Sequence, residues 1–199
     1  MQHPPPDFAR CSRRRAHPPL KHAKTAAGLA EPAEPDWGPA PRRDPLIVQV
    51  QVTIHAPKAA IWAAITDIEH AADLISGIQK IAIVERPVGG LVGLRWQETR
   101  DFFGKPATVE KCITEAVEGE SYSTRAEQDG TVYLCTKRLQ EGPDGIIFSE
   151  SHVTQPRGAF SKIMLKLMGF LFKGMARKAL MQDLNDIKSA VEQKQAIAA

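Results

Sequence analysis

The feature that most constrains the fold is a long amphipathic helix at the C-terminus, which follows an almost unbroken series of strands. Apolar side chains recur at helical spacing over residues 159–193 and predict one continuous helix. They are Phe160, Met164, Leu167, Leu171, Met175, Leu180, Leu184, Ile187 and Val191. Four of the five methionines lie here, and methionine adapts to irregular apolar surfaces. We therefore expect a sheet that packs on this helix with room for a guest between them.

The strands are predicted by alternating apolar residues and by turn signals. Residues 46–54 alternate strictly, and two short helices are expected between about residues 57 and 75. Six more strands follow, separated by Pro, Gly and Asp-Gly turns. They span residues 78–85, 91–101, 107–117, 121–127, 131–140 and 146–154. Short connections between consecutive strands imply antiparallel hairpins, so the class is α+β with one curved meander sheet.

The first 45 residues differ from the rest in composition. They hold ten of the 15 prolines and show no apolar periodicity. Such a segment buries too little apolar surface to offset its ordering entropy, so we expect it to be disordered. The predicted organisation is a disordered extension over residues 1–45, a folded domain over 46–193 and a frayed tail over 194–199.

Charge and hydropathy exclude some function classes. Residues 46–199 contain equal numbers of basic and acidic side chains, which disfavours a nucleic-acid partner. The longest apolar run, residues 163–172, is about half the ~20 residues needed to span a bilayer. We therefore expect no transmembrane segment, although peripheral membrane contact stays open. The three cysteines show no metal-ligand or C-x-x-C spacing, and a cytoplasmic location is the default expectation.

Three segments of the sequence resemble those of a known protein family. They are APKAAIWAAITDIEHAADLISGI, VGLRWQETRDFFGK and KALMQDLNDIKSAVE. Together with the order of elements they resemble the START-like, or SRPBCC, helix-grip superfamily that includes the birch-pollen allergen fold. Within it the chain is similar to the bacterial polyketide cyclase/dehydrase and lipid-transport branch. The resemblance implies a seven-stranded curved antiparallel sheet that grips the C-terminal helix, with an apolar cavity between them.

This resemblance leaves several functions open, because one fold hosts unrelated activities. The leading hypothesis is binding or carriage of a small hydrophobic or lipid-like molecule in that cavity. The alternatives are a polyketide cyclase or dehydratase acting there, and an assembly or maturation factor for a membrane protein. We find no Gly-x-Ser-x-Gly, His-Glu-x-x-His, phosphate-loop or dinucleotide motif, so the sequence implies no cofactor and does not favour an enzyme.

Candidate ligand-binding residues come from the strand at 91–101, where Val92, Leu94, Trp96, Glu98 and Arg100 share one face by period two. The apolar members predict that this face looks inward. Glu98 and Arg100 would then orient a ligand's polar head group, or form an ion pair near the rim.

Further candidates come from other elements. The two tyrosines, Tyr122 and Tyr133, would hydrogen-bond a ligand or serve as core aromatics. Glu150 and His152 share a strand face and would suit acid–base work if enclosed. On the helix, the half that is rich in Met and Phe should face the cavity, and the half from Leu180 onward should anchor the helix to the sheet. The ligand-binding candidates are Trp96, Glu98, Arg100, Tyr122, Tyr133, Met164, Leu167, Met168, Leu171 and Met175.

Overall fold

The computed structural model describes residues 46–102, 104–128, 130–156 and 159–198. Within these ranges the side chains of residues 102, 159–172 and 198 fall outside the description. The predicted disorder of residues 1–45, and the roles predicted for Met164, Leu167, Met168 and Leu171, therefore lie outside the described residues.

The chain folds as one strand, two short helices, six strands and one long helix, which confirms the predicted order and the α+β class. The bounds are β1 Leu46–Ile54, α1 Lys58–Thr66, α2 Ala71–Leu74, β2 Ile78–Glu85, β3 Arg95–Phe102, β4 Lys105–Val117, β5 Ser121–Gln128, β6 Thr131–Gly142, β7 Gly145–Pro156 and α3 Ala159–Ala198.

All seven strands form one antiparallel sheet in the order β1-β7-β6-β5-β4-β3-β2. Every pair except β1–β7 joins strands that follow one another in the chain. The alternation predicted for β1 is present, since Val48, Val50 and Ile54 are buried while Gln49 and Gln51 are exposed. The sheet curves around α3, and we call the face that packs on this helix the concave face.

The second half of α3 is anchored to the sheet as its spacing predicts. Leu180, Leu184, Ile187 and Val191 are all buried in the main apolar core. Polar contacts add to this anchor, because Lys188 Nζ donates to the Thr53 carbonyl at 2.5 Å. This half of the helix therefore has one fixed orientation on β1.

Two predicted boundaries are wrong by four or more residues, while the other boundaries agree within about two residues. The strand at 91–101 begins only at Arg95, because Gly93 has a φ of +96° and turns the chain before it becomes extended. Val92 is consequently exposed and does not share the inward face, although Leu94 is buried. The predicted end of α3 at residue 193 is also too early. No Gly or Pro interrupts residues 192–198, and the helix continues to Ala198.

Candidate functional site

The concave face is partly charged. Residues from β3, β4, β6 and β7 bring charged groups to the same side of the sheet as the apolar core. Among the described residues, every buried side-chain nitrogen or oxygen atom has a hydrogen-bond partner. The charged groups form two clusters, one on β3 and β4 and the other on β6 and β7.

The first, which we call the rim cluster, consists of Glu98, Arg100, Lys111 and Asp183. Glu98 is 6% exposed and accepts hydrogen bonds from Lys111 Nζ at 2.7 Å and from Arg100 Nε at 2.6 Å. Arg100 Nη1 also lies 2.8 Å from Asp183 Oδ2, which links the sheet to α3. The ion pair predicted between Glu98 and Arg100 is thus present, within a network of four charged groups.

The rim cluster is assembled by two elements in addition to β3. Lys111 lies directly opposite Trp96 in the β3–β4 register, so it projects to the same face. Asp183 precedes the fully buried Leu184 on α3. The α2–β2 connection closes over this bridge, since a Cβ on Gly77 would lie 3.1 Å from Arg100 Nη1 and 3.3 Å from Asp183 Oδ1.

The pKa values in the rim cluster follow from burial and charge. Burial alone would raise the pKa of Glu98, but Lys111 and Arg100 outweigh it and lower the pKa to about 2. Burial raises the pKa of Asp183 even though Arg100 opposes that shift. Glu98 is therefore a carboxylate at any physiological pH.

We expect the rim cluster to make stability depend on pH in acid. The folded pKa of Glu98, about 2, lies below the ordinary glutamate value of 4.5, so its stabilisation is complete above about pH 4.5 and is lost as pH falls toward 2. The full effect is about 3 kcal/mol, at 1.36 kcal/mol per pKa unit. Urea unfolding of the wild type and Glu98→Gln should show a difference that shrinks over this range. Glu141→Gln, at an exposed position, is the control. A difference that stays constant between pH 7 and pH 2 would contradict the assignment.

The second group, which we call the core cluster, consists of Cys135, Lys137, Glu150 and His152. Glu150 is 3% exposed, and its Oε2 lies 2.6 Å from Lys137 Nζ. Its Oε1 lies 2.8 Å from His152 Nε2 and 3.1 Å from Cys135 Sγ. The predicted couple of Glu150 and His152 is thus close enough to share a proton.

Charge decides the protonation of the core cluster as well. Burial would raise the pKa of Glu150, but Lys137 and His152 lower it well below its ordinary value. Burial would lower the pKa of His152, but Cys135 and Glu150 raise it to about 10. The apolar surroundings include Phe148, whose ring centroid lies 5.6 Å from Lys137 Nζ.

The remaining candidates occupy different environments. Trp96 is buried, and its indole N–H points at Glu98 Oε2 at 3.3 Å, so it lies beside the rim cluster. Tyr122 is buried and donates its hydroxyl to the Ile65 carbonyl at 2.9 Å, which matches the core alternative for this residue. Tyr133 and Met175 are exposed, at 39% and 40%.

Sequence reasoning missed four members of the clusters, namely Lys111, Cys135, Lys137 and Asp183. Period two offered a signal for two of them, since Cys135 and Lys137 lie on the same face of β6 as the buried Leu139. Helical spacing offered one for Asp183, which lies three residues after Leu180. Lys111 could be identified only from the β3–β4 register, which places it opposite Trp96.

Solved structures with the same fold include three informative ones. A START superfamily protein from Mycobacterium smegmatis is 17% identical with a TM-score of 0.62, and the match covers 74% of this chain and 97% of that protein. The Zhui aromatase/cyclase from Streptomyces sp. R1128 is 16% identical with a TM-score of 0.59, covering 74% and 94%. The di-domain aromatase/cyclase StfQ of the steffimycin pathway is 9% identical with a TM-score of 0.63. The StfQ match covers 76% of this chain but only 52% of StfQ.

Comparison of the sequence with models of known families assigns the chain to one of them. No curated protein sequence matches the chain. In the described residues, no helix has the length and apolar character that crossing a bilayer would require. The model described as polyketide cyclase / dehydrase and lipid transport matches residues 45–192, which includes every strand and most of α3. The chain therefore belongs to the polyketide cyclase/dehydrase and lipid transport family, with the helix-grip fold that its sequence predicted.

Proposed function

We propose that the protein binds a small, largely apolar molecule between the concave face and α3, and that the rim cluster orients the polar end of that molecule. The observation that carries the proposal is the burial of charged groups beside apolar ones on this face. Glu98 and Asp183 are buried at 6% and 3% exposure, close to Trp96 and Leu184.

A gain in stability is by itself a weak explanation for the buried charges of the rim cluster. A buried ion pair is often no more stabilising than well-packed apolar residues of the same volume. Ligand sites, in contrast, are mostly apolar with a few polar groups that fix orientation. Family membership supports the same proposal, because the family description includes lipid transport.

The polar end of the ligand should be an anion or a strong hydrogen-bond acceptor. Lys111 has three N–H donors, and its contact with Glu98 uses one of them. Its side chain is 25% exposed, so a ligand oxygen can approach it. A carboxylate or a polarised carbonyl oxygen suits this position best, with the apolar body of the ligand directed along the concave face.

Binding of a fluorescent fatty acid and of its methyl ester to the purified full chain tests this proposal. Lys111→Met should weaken binding of the acid about tenfold, the equivalent of one charge-assisted hydrogen bond of about 1.5 kcal/mol, and should weaken binding of the ester, a neutral acceptor, less. Lys80→Met is the matched control, since Lys80 is exposed on β2, which is separated from β4 by β3. Equal effects of the two substitutions, or binding of neither probe, would count against the proposal. Native mass spectrometry of the purified protein would identify a ligand that co-purifies.

A cyclase-type reaction in the same place is the second candidate function, and its support is the similarity in fold to two aromatase/cyclases. General acid–base catalysis is most efficient when the pKa of the catalytic group lies near the working pH. Glu98, with a pKa of about 2, is a poor proton donor, so its role in such a reaction would be electrostatic. If a substrate is found, Glu98→Gln should abolish its turnover, and undiminished turnover would remove Glu98 from the mechanism.

A further inference from the structure

Three side chains of the core cluster that are of metal-ligating types converge on the concave face. Cys135 and His152 are directly opposite each other in the β6–β7 register, and Glu150 lies two residues before His152 on the same face of β7. One potential ligand atom from each residue lies within 4.8 Å of the other two. The sheet register therefore gathers a thiol, a carboxylate and an imidazole at one point.

We propose that Cys135, Glu150 and His152 bind one divalent transition-metal ion, with zinc as the best fit. Thiolate sulfur, imidazole nitrogen and carboxylate oxygen are the three ligand types of protein zinc sites. Three protein ligands leave the fourth tetrahedral position open to water or to another ligand, as in catalytic zinc sites. This proposal does not depend on the proposed carriage of an apolar molecule.

The geometry needs little adjustment to accept the ion. Ligand atoms at bond lengths of about 2.0–2.3 Å around a tetrahedral zinc are about 3.3–3.8 Å apart. The two contacts to Glu150 Oε1 are 2.8 Å and 3.1 Å, so the side chains need to separate by less than about 1 Å. Side-chain torsions can supply this separation without a change in the β6–β7 register.

Lys137 has the position of an outer-shell partner. Its Nζ lies 2.6 Å from Glu150 Oε2, which leaves Oε1 directed at Cys135 and His152. Carboxylate ligands of metals are commonly held by such a second hydrogen bond. Binding of the ion requires Cys135 as a thiolate and His152 as a neutral imidazole, so it releases one proton from each. With Lys137 included, the total charge of the cluster is then +1 both with and without the ion.

The ion also has a route into the site. The side chains of Glu150 and His152 are 4% and 30% exposed, and Cys135 is 9% exposed as a whole residue. His152 is therefore the ligand that faces solvent. It can bind the ion first and deliver it to the two deeper ligands.

Cobalt and zinc titrations of the reduced, metal-free full chain test the site. Co²⁺ is the spectroscopic probe, because a cobalt–thiolate bond gives a charge-transfer absorption in the near ultraviolet. We expect this band to saturate at one ion per chain in the wild type and in Cys11→Ser, and to be absent in Cys135→Ser. A band that survives Cys135→Ser, or that is lost with Cys11→Ser, would overturn the proposal, as would the absence of any band.

Calorimetry with Zn²⁺ gives a second measurement, which does not rely on a thiolate absorption band. His152→Gln should raise the dissociation constant at least about 100-fold, since loss of an outer-shell partner alone typically costs 10–100-fold. His70→Gln is the matched control, because His70 is exposed and pairs with Asp67 at a remote position. Zn²⁺ should also raise the melting temperature of the wild type and of His70→Gln but not that of Cys135→Ser. Equal affinities of the two histidine variants for Zn²⁺ would show that the ion binds at surface sites and would refute the proposal.

Discussion

Replacing Glu150 by glutamine should lower the free energy of unfolding by about 3–5 kcal/mol, the usual cost of removing one partner from a buried ion pair. Glu150 is nearly inaccessible and lies between two cationic groups, Lys137 at 2.6 Å and His152 at 2.8 Å. Glutamine has almost the same shape but no charge, so both cations would lose their counter-ion in a low-dielectric environment. Urea unfolding of metal-free protein at pH 7, followed by tryptophan fluorescence, measures the loss.

Two further variants make this result specific. The double substitution Glu150→Gln with Lys137→Met should recover part of the loss, because it removes one of the orphaned cations and keeps an apolar stem beside Phe148. Glu69→Gln is the control for an exposed ion pair, since the side chains of Glu69 and its partner Arg86 are 54% and 58% exposed. Its cost should be below about 1 kcal/mol. Similar losses for Glu150→Gln and Glu69→Gln would show that the core cluster is effectively solvated.

Leu184→Ala should lower the free energy of unfolding by about 2–5 kcal/mol, the range for leucine truncation in a core. Leu184 is 0% exposed and belongs to the apolar core shared by α3 and the sheet. The residues around it are held by β1 and by the α2–β2 connection, where Ser76 donates its backbone N–H to Asp186 at 2.9 Å. The cavity left by the substitution would therefore close only in part.

Asn185→Ala provides the matched control for Leu184→Ala. Asn185 is the next residue of α3 and is exposed, so its truncation should change the free energy of unfolding by no more than about 0.5 kcal/mol. Thermal and urea unfolding of both variants would measure the contrast. A small effect of Leu184→Ala would mean that the second half of α3 is not the main anchor of the helix.

The fold was largely predictable because its signals are local. Alternation in β1, the Gly and Pro turns between strands and the helical spacing of α3 each reside in a few consecutive residues. The error at Val92 has the same origin. Val92, Leu94 and Trp96 do follow period two in the sequence, but the left-handed conformation of Gly93 interrupts the extended chain. That conformation depends on pairing with β4, where Gly93 N donates to the Ile113 carbonyl at 2.9 Å.

The candidate site was less predictable because its contacts are long-range. Glu98 and Arg100 were found from period two within one strand. Lys111 required the strand register, and Asp183 required the rotation of α3 about its axis. The core cluster shows the same limit, since Glu150 and His152 share a strand while Cys135 reaches them only through the pairing of β6 with β7.

The strand order has a consequence for the way in which the chain folds. Five of the six pairings in the sheet join strands that follow one another in the chain, through connections of two to nine residues, whereas the pairing of β1 with β7 joins segments about 100 residues apart. Closing a loop of that length costs about 3 kcal/mol more chain entropy than closing a four-residue turn. The meander from β2 to β7 is therefore a set of low-contact-order hairpins, and one non-local event, the docking of β1, sets most of the topological barrier. The first strand and the last helix of the fold, β1 and α3, complete the concave face and meet in that same event.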